Sequence, residues 1–387
     1  MALQLADFNL SEERTEFRDT LRRFFEESAP ITEVRRVMEA GQGLSEPLWK
    51  LASEELGLAG IAIAEEYGGQ GFGMAELGIA LGEAGRALAP IPLFASAALA
   101  GRVVESVAGP SGGGEWLEPI AAGRIATLAW VEASGSWNAE DVAMEARPDG
   151  ADFRLTGEKH FVLDAPYAER LFVIARQPGS GGADGIGLFT VEADAEGVAV
   201  SSCETLDLTR PLSRVVFEGA AARRVGSGPN DHAAIRAGLD EATALLCAEM
   251  VGGMQKILET AVDYAAERHQ FSRPIGSFQA IKHKCADMLI DFEGARTAAD
   301  GAIVAHEAGD PERALLSSVA KAHLGPCYRH MTTQNMQIQG GVGYTWEYDA
   351  HLYFRRALAC EALLGDSAEH QERLTRLVAA GLAEGKR

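Results

Sequence analysis

A chain of 387 residues has room for two or three lobes around a large buried core, which excludes a single peptide-sized module. Lys plus Arg number 35 against 56 for Asp plus Glu, a formal net charge of −21, so nucleic acid and anionic membrane surfaces are excluded as natural partners. With 47% hydrophobic and 24% charged residues the composition is that of an ordinary soluble globular protein.

The opening segment MALQLADFNLSEERTEF has no basic stretch followed by an apolar one, and no uncharged apolar run approaches the roughly 18 residues of a spanning helix, so a cytoplasmic protein is expected. Phe17, Leu21, Phe24 and Phe25 recur at helical spacing and predict a helix over 11–28 that stops at Pro30. A second helix begins at Ser45, turns Leu48, Leu51 and Leu56 inward and ends on Gly57 as a left-handed cap. The GGQGFG segment (68–73) reads as a turn; it opens no strand-to-helix unit that would make it a phosphate cradle. A further helix is expected over 75–88, broken by Pro90 and Pro92.

GPSGGG (109–114) reads as a flexible connector, after which the periodicity changes to short β-branched and aromatic runs. These lie near 125–130, 142–147, 152–156, 159–163, 171–175, 186–191, 197–202 and 214–217, and predict a compact antiparallel sandwich or barrel. From about 231 the helical pattern returns in long segments. Leu239, Ala242, Leu246, Met250, Gly253, Ile257 and Ala261 form the apolar face of a bundle helix. Two more follow over 277–307 and 311–338, the latter kinked at Pro326. Helices, strands and helices in succession give an α+β chain of three lobes, 1–122, 123–228 and 229–387.

Common motifs are absent: no GxGxxG after a strand, no GxxxxGK[ST], no HExxH, no G-x-S-x-G elbow. Cys203, Cys247, Cys285, Cys327 and Cys360 occur singly, and are expected as buried, reduced thiols rather than a disulfide framework. The histidines show no ligand spacing, His269 and His283 reading as surface or capping groups, so no metal is inferred.

Five stretches carry a likeness that periodicity does not. LWKLASEELGLAGIAIAEEYGGQGFG (48–73), GEKHFVLDA (157–165), RHQFSRPIGSFQAIKHKCADM (268–288), QIQGGVGYTWEYDAHLYFRRA (337–357) and LLGDSAEHQERL (363–374) resemble, in order, motifs of the acyl-CoA dehydrogenase family. The resemblance implies that family's fold, an N-terminal helical domain, a middle β-barrel or sandwich and a C-terminal four-helix bundle, with FAD between the β lobe and the bundle. It implies an oxidoreductase of lipid β-oxidation that takes an acyl-CoA substrate to its 2-enoyl form and passes electrons to electron-transfer flavoprotein. A glutamate would remove the α proton while the β hydrogen leaves as hydride to the flavin. A thioester α proton is weakly acidic, so this needs a positioned carboxylate and hydrogen bonds on the enolate oxygen.

Carried onto this chain, the resemblance gives Arg268 to the FAD pyrophosphate of a neighbouring subunit, Phe271 to packing beside it and Gln279 to the adenosine end. Gln337, Gly340 and Gly341 form the turn along the same cofactor. A guanidinium binds phosphate bidentately, and glycines let the backbone approach closely. Glu132 persists beside the flavin ring, and Phe161 and Leu163 stand on the strand against it, whereas Val131 and Trp137 replace residues that usually offer hydroxyls.

The base is where the sequence departs. Leu364 occupies the position of the family's usual glutamate; Asp366, two residues on, is expected to face the cofactor, and Glu361 lies nearly a turn away if that stretch is helical. Another branch carries its base on the long helix before the arginine motif. Ungapped counting reaches Ala242, immediately after Glu241. Glu241 heads an apolar stripe with Leu245, Ala248 and Gly252 and is the candidate catalytic base, the alternative being a solvated helix-start carboxylate. Glu249 reads as a structural ion pair. The combination resembles a bacterial branch acting on steroid or related ring-bearing acyl-CoA thioesters, often as heterotetramers of unlike chains. Two functions follow: a catalytic chain in a homo- or hetero-oligomer, a dimer of dimers, or a non-catalytic subunit that completes a partner's FAD site.

Overall fold

The computed structural model describes residues 11–41, 43–109, 112–228 and 230–383. Two compact units emerge, one from Met1–Arg36, Met74–Ala89 and Thr243–Arg387, the other from Val37–Gly73 and Pro90–Ala242.

The first unit is helical. Helix α1 (Glu12–Ser28) is capped by Ser11, whose hydroxyl accepts from Arg14 N at 3.2 Å, and it buries Leu21 and Phe25. Pro30 ends α1 as expected, yet it also opens α2 (Ile31–Glu39): Glu33 N and Val34 N bond back to its carbonyl at 2.8 and 3.2 Å. A proline suits a helix start, where no N–H partner is missed.

Helix α4 (Met74–Ala87) packs closely on α7 (His232–Glu267). A Cβ on Gly252 would stand 1.8 Å from Gly82 O, and one on Gly85 2.3 Å from Glu249 O, so both backbones meet without side chains between them. The predicted stripe of α7 is its core face; Leu239, Ala242, Leu246, Met250, Ile257 and Ala261 are all buried. Gly253 in that stripe leaves room for Tyr328, whose hydroxyl would lie 2.0 Å from an added Cβ. Helix α8 (Gln279–Glu307), α9 (Arg313–Gln339), α10 (Ala350–Ala362) and α11 (Ser367–Ala383) complete the unit, with α9 packed against the other three. Helix α9 continues through Pro326 without interruption.

The second unit holds α3 (Glu46–Lys50), which widens into a π turn over Leu51–Glu55 and ends at Gly57 with φ +65°. A longer buried π stretch, Phe94–Ala100, runs into α5 (Gly101–Ala108). Strands were expected directly after GPSGGG, but α6 (Gly114–Ala121) intervenes, burying Trp116, Leu117 and Ile120; Pro110 and Ser111 of that connector lie outside the described residues.

Seven strands follow: β1 (Ala126–Ala129), β2 (Glu145–Asp149), β3 (Asp152–Leu163), β4 (Arg170–Arg176), β5 (Ile186–Glu192), β6 (Val198–Ser202) and β7 (Leu212–Arg224). Pairing runs β4–β2–β3–β7–β5 and returns to β4, closing a barrel, with β1 added to β4 and β6 to β7. The expected wholly antiparallel order is corrected in two places, because β1 and β2 both pair with β4 in parallel. The runs at 152–156 and 159–163 are a single strand, β3, whose register shifts between Lys159 and Val162. No helix among the described residues is long and apolar enough to cross a membrane. Of the five thiols, Cys247 and Cys360 are buried as expected, whereas Cys203, Cys285 and Cys327 are partly exposed.

Candidate functional site

In the first unit, the end of α7 passes into a short hairpin, β8 (His269–Gln270) and β9 (Arg273–Pro274), whose turn holds Phe271 and Ser272 at φ +53° and +64°. Left-handed backbone is uncommon for such residues and persists only where the surroundings impose it. Here it lifts Phe271 out of the protein, leaving it 86% exposed, with Phe278 edge-on at 6.1 Å. Arg268 stands at the base of the hairpin; its carbonyl accepts from Ile275 N at 2.7 Å, while its exposed guanidinium has no partner among the described residues. Gln279, the first residue of α8, is also exposed.

Helix α9 ends beside this hairpin's root, where Tyr264 donates to Gln339 O at 3.2 Å. Gln337 donates to the Tyr344 hydroxyl at 2.5 Å, and Gly340 turns the chain at φ +69°. No atom lies within 4 Å of a Cβ built on Gly340 or Gly341. An unpaired guanidinium and an unburied aromatic ring thus stand at the hairpin, and two uncrowded glycines follow the end of α9. That donor set fits a nucleotide pyrophosphate: a free cation for the phosphates and backbone that a ligand can approach.

The corner between α10 and α11 is built differently. Leu364 is buried at φ +62°, and its carbonyl is bonded by the buried His370 ring, Nε2 to O at 3.1 Å. Asp366 is exposed. It caps α11: its Oδ1 accepts from Glu369 N at 2.9 Å and its own N–H donates to Glu369 Oε2 at 2.9 Å, a reciprocal capping box. Lys321 of α9, wholly buried, donates to Glu361 O at 2.8 Å and Gly365 O at 2.7 Å. Sequence reading missed this lysine. Its signal was a lone cation on the apolar face shared by Ser317, Ala320, Leu324 and Tyr328. Glu249 forms a buried ion pair with Arg356 at 2.9 Å, the structural role expected of it.

In the second unit Glu132 and Lys159 bond each other and the main chain around them. Glu132 accepts from Lys159 Nζ at 2.8 Å and Met144 N at 3.0 Å through Oε1, and from Ala143 N at 3.0 Å through Oε2. Burial opposes its charge, but Lys159 and the two amides hold the carboxyl below its ordinary range. Lys159, fully buried and also bonded to Trp130 O at 2.9 Å, is pushed down to about 8 by desolvation against the pull of Glu132. Glu132 therefore pins the 133–142 loop, with both oxygens accepting hydrogen bonds. Leu163 lies in the core, 2% exposed, opposite Leu212. Phe161, at φ +55° in the register shift, stands 47% exposed.

Glu241 lies near the start of α7, where Arg102 Nε donates to its Oε2 at 2.7 Å; Arg102 also pairs with Glu105 and reaches Ala62 O at 3.4 Å. The Glu105 carboxyl is raised above its ordinary range, first by burial and further by Glu241, against the pull of Arg102. The expected base is thus one of two carboxylates sharing an arginine, not a lone carboxylate on an apolar face. Ala242 beside it is fully buried.

Family descriptions match along nearly the whole chain: "Acyl-CoA dehydrogenase, N-terminal domain" over residues 11–124, the middle domain over 127–220 and the C-terminal domain over 232–379. The chain belongs to the acyl-CoA dehydrogenase family. Among its relatives is "Acyl-CoA dehydrogenase IpdE2" of Mycolicibacterium smegmatis, 31% identical over 366 residues, 94% of this chain and 98% of the relative. A variant of the steroid ACAD Tcur3481-Tcur3483 superposes with a TM-score of 0.85 at 30% identity, covering 96% of this chain and 99% of that one. The ChsE4-ChsE5 complex from Mycobacterium tuberculosis gives a TM-score of 0.86 at 26% identity, covering 96% and 98%.

Proposed function

We propose that this acyl-CoA dehydrogenase is FAD-dependent, oxidises a bulky, ring-bearing acyl-CoA thioester to its 2-enoyl form, and passes the electrons to electron-transfer flavoprotein. The observation that carries the reading is the unpartnered set of Arg268, Phe271, Gly340 and Gly341 in the first unit. Arg268 would hold the pyrophosphate in its planar fork, and the two glycines would let main-chain groups approach the same phosphates. Phe271 offers an apolar face beside them. FAD, when bound, supplies the acceptor for the β hydrogen. The likeness to a steroid ACAD supports a ring-bearing acyl group.

Within this chain, Glu241 is the carboxylate proposed to take the α proton, and to do so its Oε2 must share or leave Arg102 Nε. The purified protein is expected to be yellow and to bleach with a steroid-type acyl-CoA. Glu241→Gln should keep the flavin and slow that bleaching by about 100-fold or more; equal rates would remove Glu241 from the mechanism.

A second reading rests on a specific pair of observations. Leu364 is an apolar, buried side chain at the family's usual base position, and Glu241 is tied to an arginine. Together these support a supporting subunit whose partner carries the base. Protein that is colourless alone, and yellow and active only with a homologous partner chain, would favour that reading; turnover as a homo-oligomer would exclude it.

A further inference from the structure

We propose that Lys321 is a positioning residue that fixes the 361–366 corner, and with it the wall that this corner gives to the acyl-CoA site. The second half rests on the acyl-CoA dehydrogenase reading above; the first does not.

Lys321 is 0% exposed, its ammonium has no carboxylate in ion-pair contact among the described residues, and its two hydrogen bonds go to main-chain oxygens. Burial pushes its pKa below the ordinary lysine range, so the folded protein bears a cost for keeping the charge there. A methionine of similar length would fill the space without that cost. What only the ammonium supplies is direction: it joins Glu361 O, in the last turn of α10, to Gly365 O, just before α11, across a backbone reversal.

The reversal needs such a tie. Leu364 and Gly365 both have left-handed φ, +62° and +99°, and a left-handed leucine persists only where its surroundings over-determine it. Side chains from two helices take the carbonyls in turn, Lys321 of α9 holding 361 and 365, and His370 of α11 holding 364. The capping box of Asp366 and Glu369 then starts α11. Helices α9 and α11 are thereby locked to the segment whose position 364 aligns with the family's usual base. Lys321 touches no substrate in this account. It acts through main-chain placement.

The test compares Lys321→Met with Leu324→Ala, a buried change on the same helix that makes no bond to the corner, as the control for global destabilisation. Hydrogen exchange on the purified protein should show the amides of Leu363 and Asp366 exchanging about tenfold faster in Lys321→Met, and unchanged relative to the rest of the protein in Leu324→Ala. At saturating acyl-CoA, flavin reduction should slow by about tenfold or more in Lys321→Met, with the half-saturating concentration unchanged. Uniform exchange loss in Lys321→Met, like that of Leu324→Ala, would overturn the tie. Faster local exchange with an unaltered reduction rate would overturn the role in the site. If no acyl-CoA reduces even the wild type, the functional reading has failed, while the exchange result still decides whether Lys321 holds the corner.

Discussion

Phe271 in the first unit and Phe161 in the second are both exposed aromatics on left-handed backbone, yet the polar groups near them are disposed in opposite ways. Beside Phe161, the Lys159 ammonium and the Glu132 carboxylate satisfy each other and the neighbouring main chain. Near Phe271, the Arg268 guanidinium has no internal partner and the glycine turn stands open. A scaffold neutralises its charges to hold a loop. A surface that binds an anion must keep its cation uncommitted.

Three substitutions break or sharpen that contrast. The largest effect is expected at Glu132→Gln, which strands the buried Lys159 ammonium; about 3–5 kcal/mol of stability should be lost, read by denaturant unfolding. A loss under about 1 kcal/mol would mean the pair is not the anchor described. Next is Asp300, a mostly buried carboxyl of the first unit with no hydrogen-bond partner among the described residues, raised by desolvation from 3.8 to about 6. Because the folded state holds this proton more tightly, the group favours folding only at low pH, and that contribution is lost as pH rises through 6. Asp300→Asn should therefore gain about 3 kcal/mol at pH 7, with the gain vanishing toward pH 4. A pH-independent difference would contradict the assignment. The smallest is Gly340→Ala, where the φ of +69° should cost about 1 kcal/mol through backbone strain alone, since nothing crowds the new methyl.

Periodicity made the architecture legible because it depends on what each element buries. The α7 stripe, the strand runs and the change from helix to strand and back all register in apolar spacing. It failed where main-chain features decide: α6 after its glycine-rich lead, α2 opened by Pro30, and the merging of two runs into β3 across a shift in register. Motif likeness singled out Arg268, Phe271 and the glycine turn, and Tyr264 ties α7 to the end of α9. A motif gives a residue's place along the chain but not which neighbours have claimed its atoms, as at Glu132 and Asp366. Lys159, Lys321 and Arg102, the partners of Glu132, the corner and Glu241, come from distant segments whose pairing no local pattern predicts.

The most direct test is an FAD titration of apoprotein carrying Arg268→Ala, expressed with whatever partner chain the wild type needs. Because that guanidinium has no internal bond to lose, the fold should stay within about 0.5 kcal/mol of wild type while FAD affinity falls by about 10- to 100-fold. Unchanged affinity, or a loss of affinity that merely follows a loss of stability, would contradict the account.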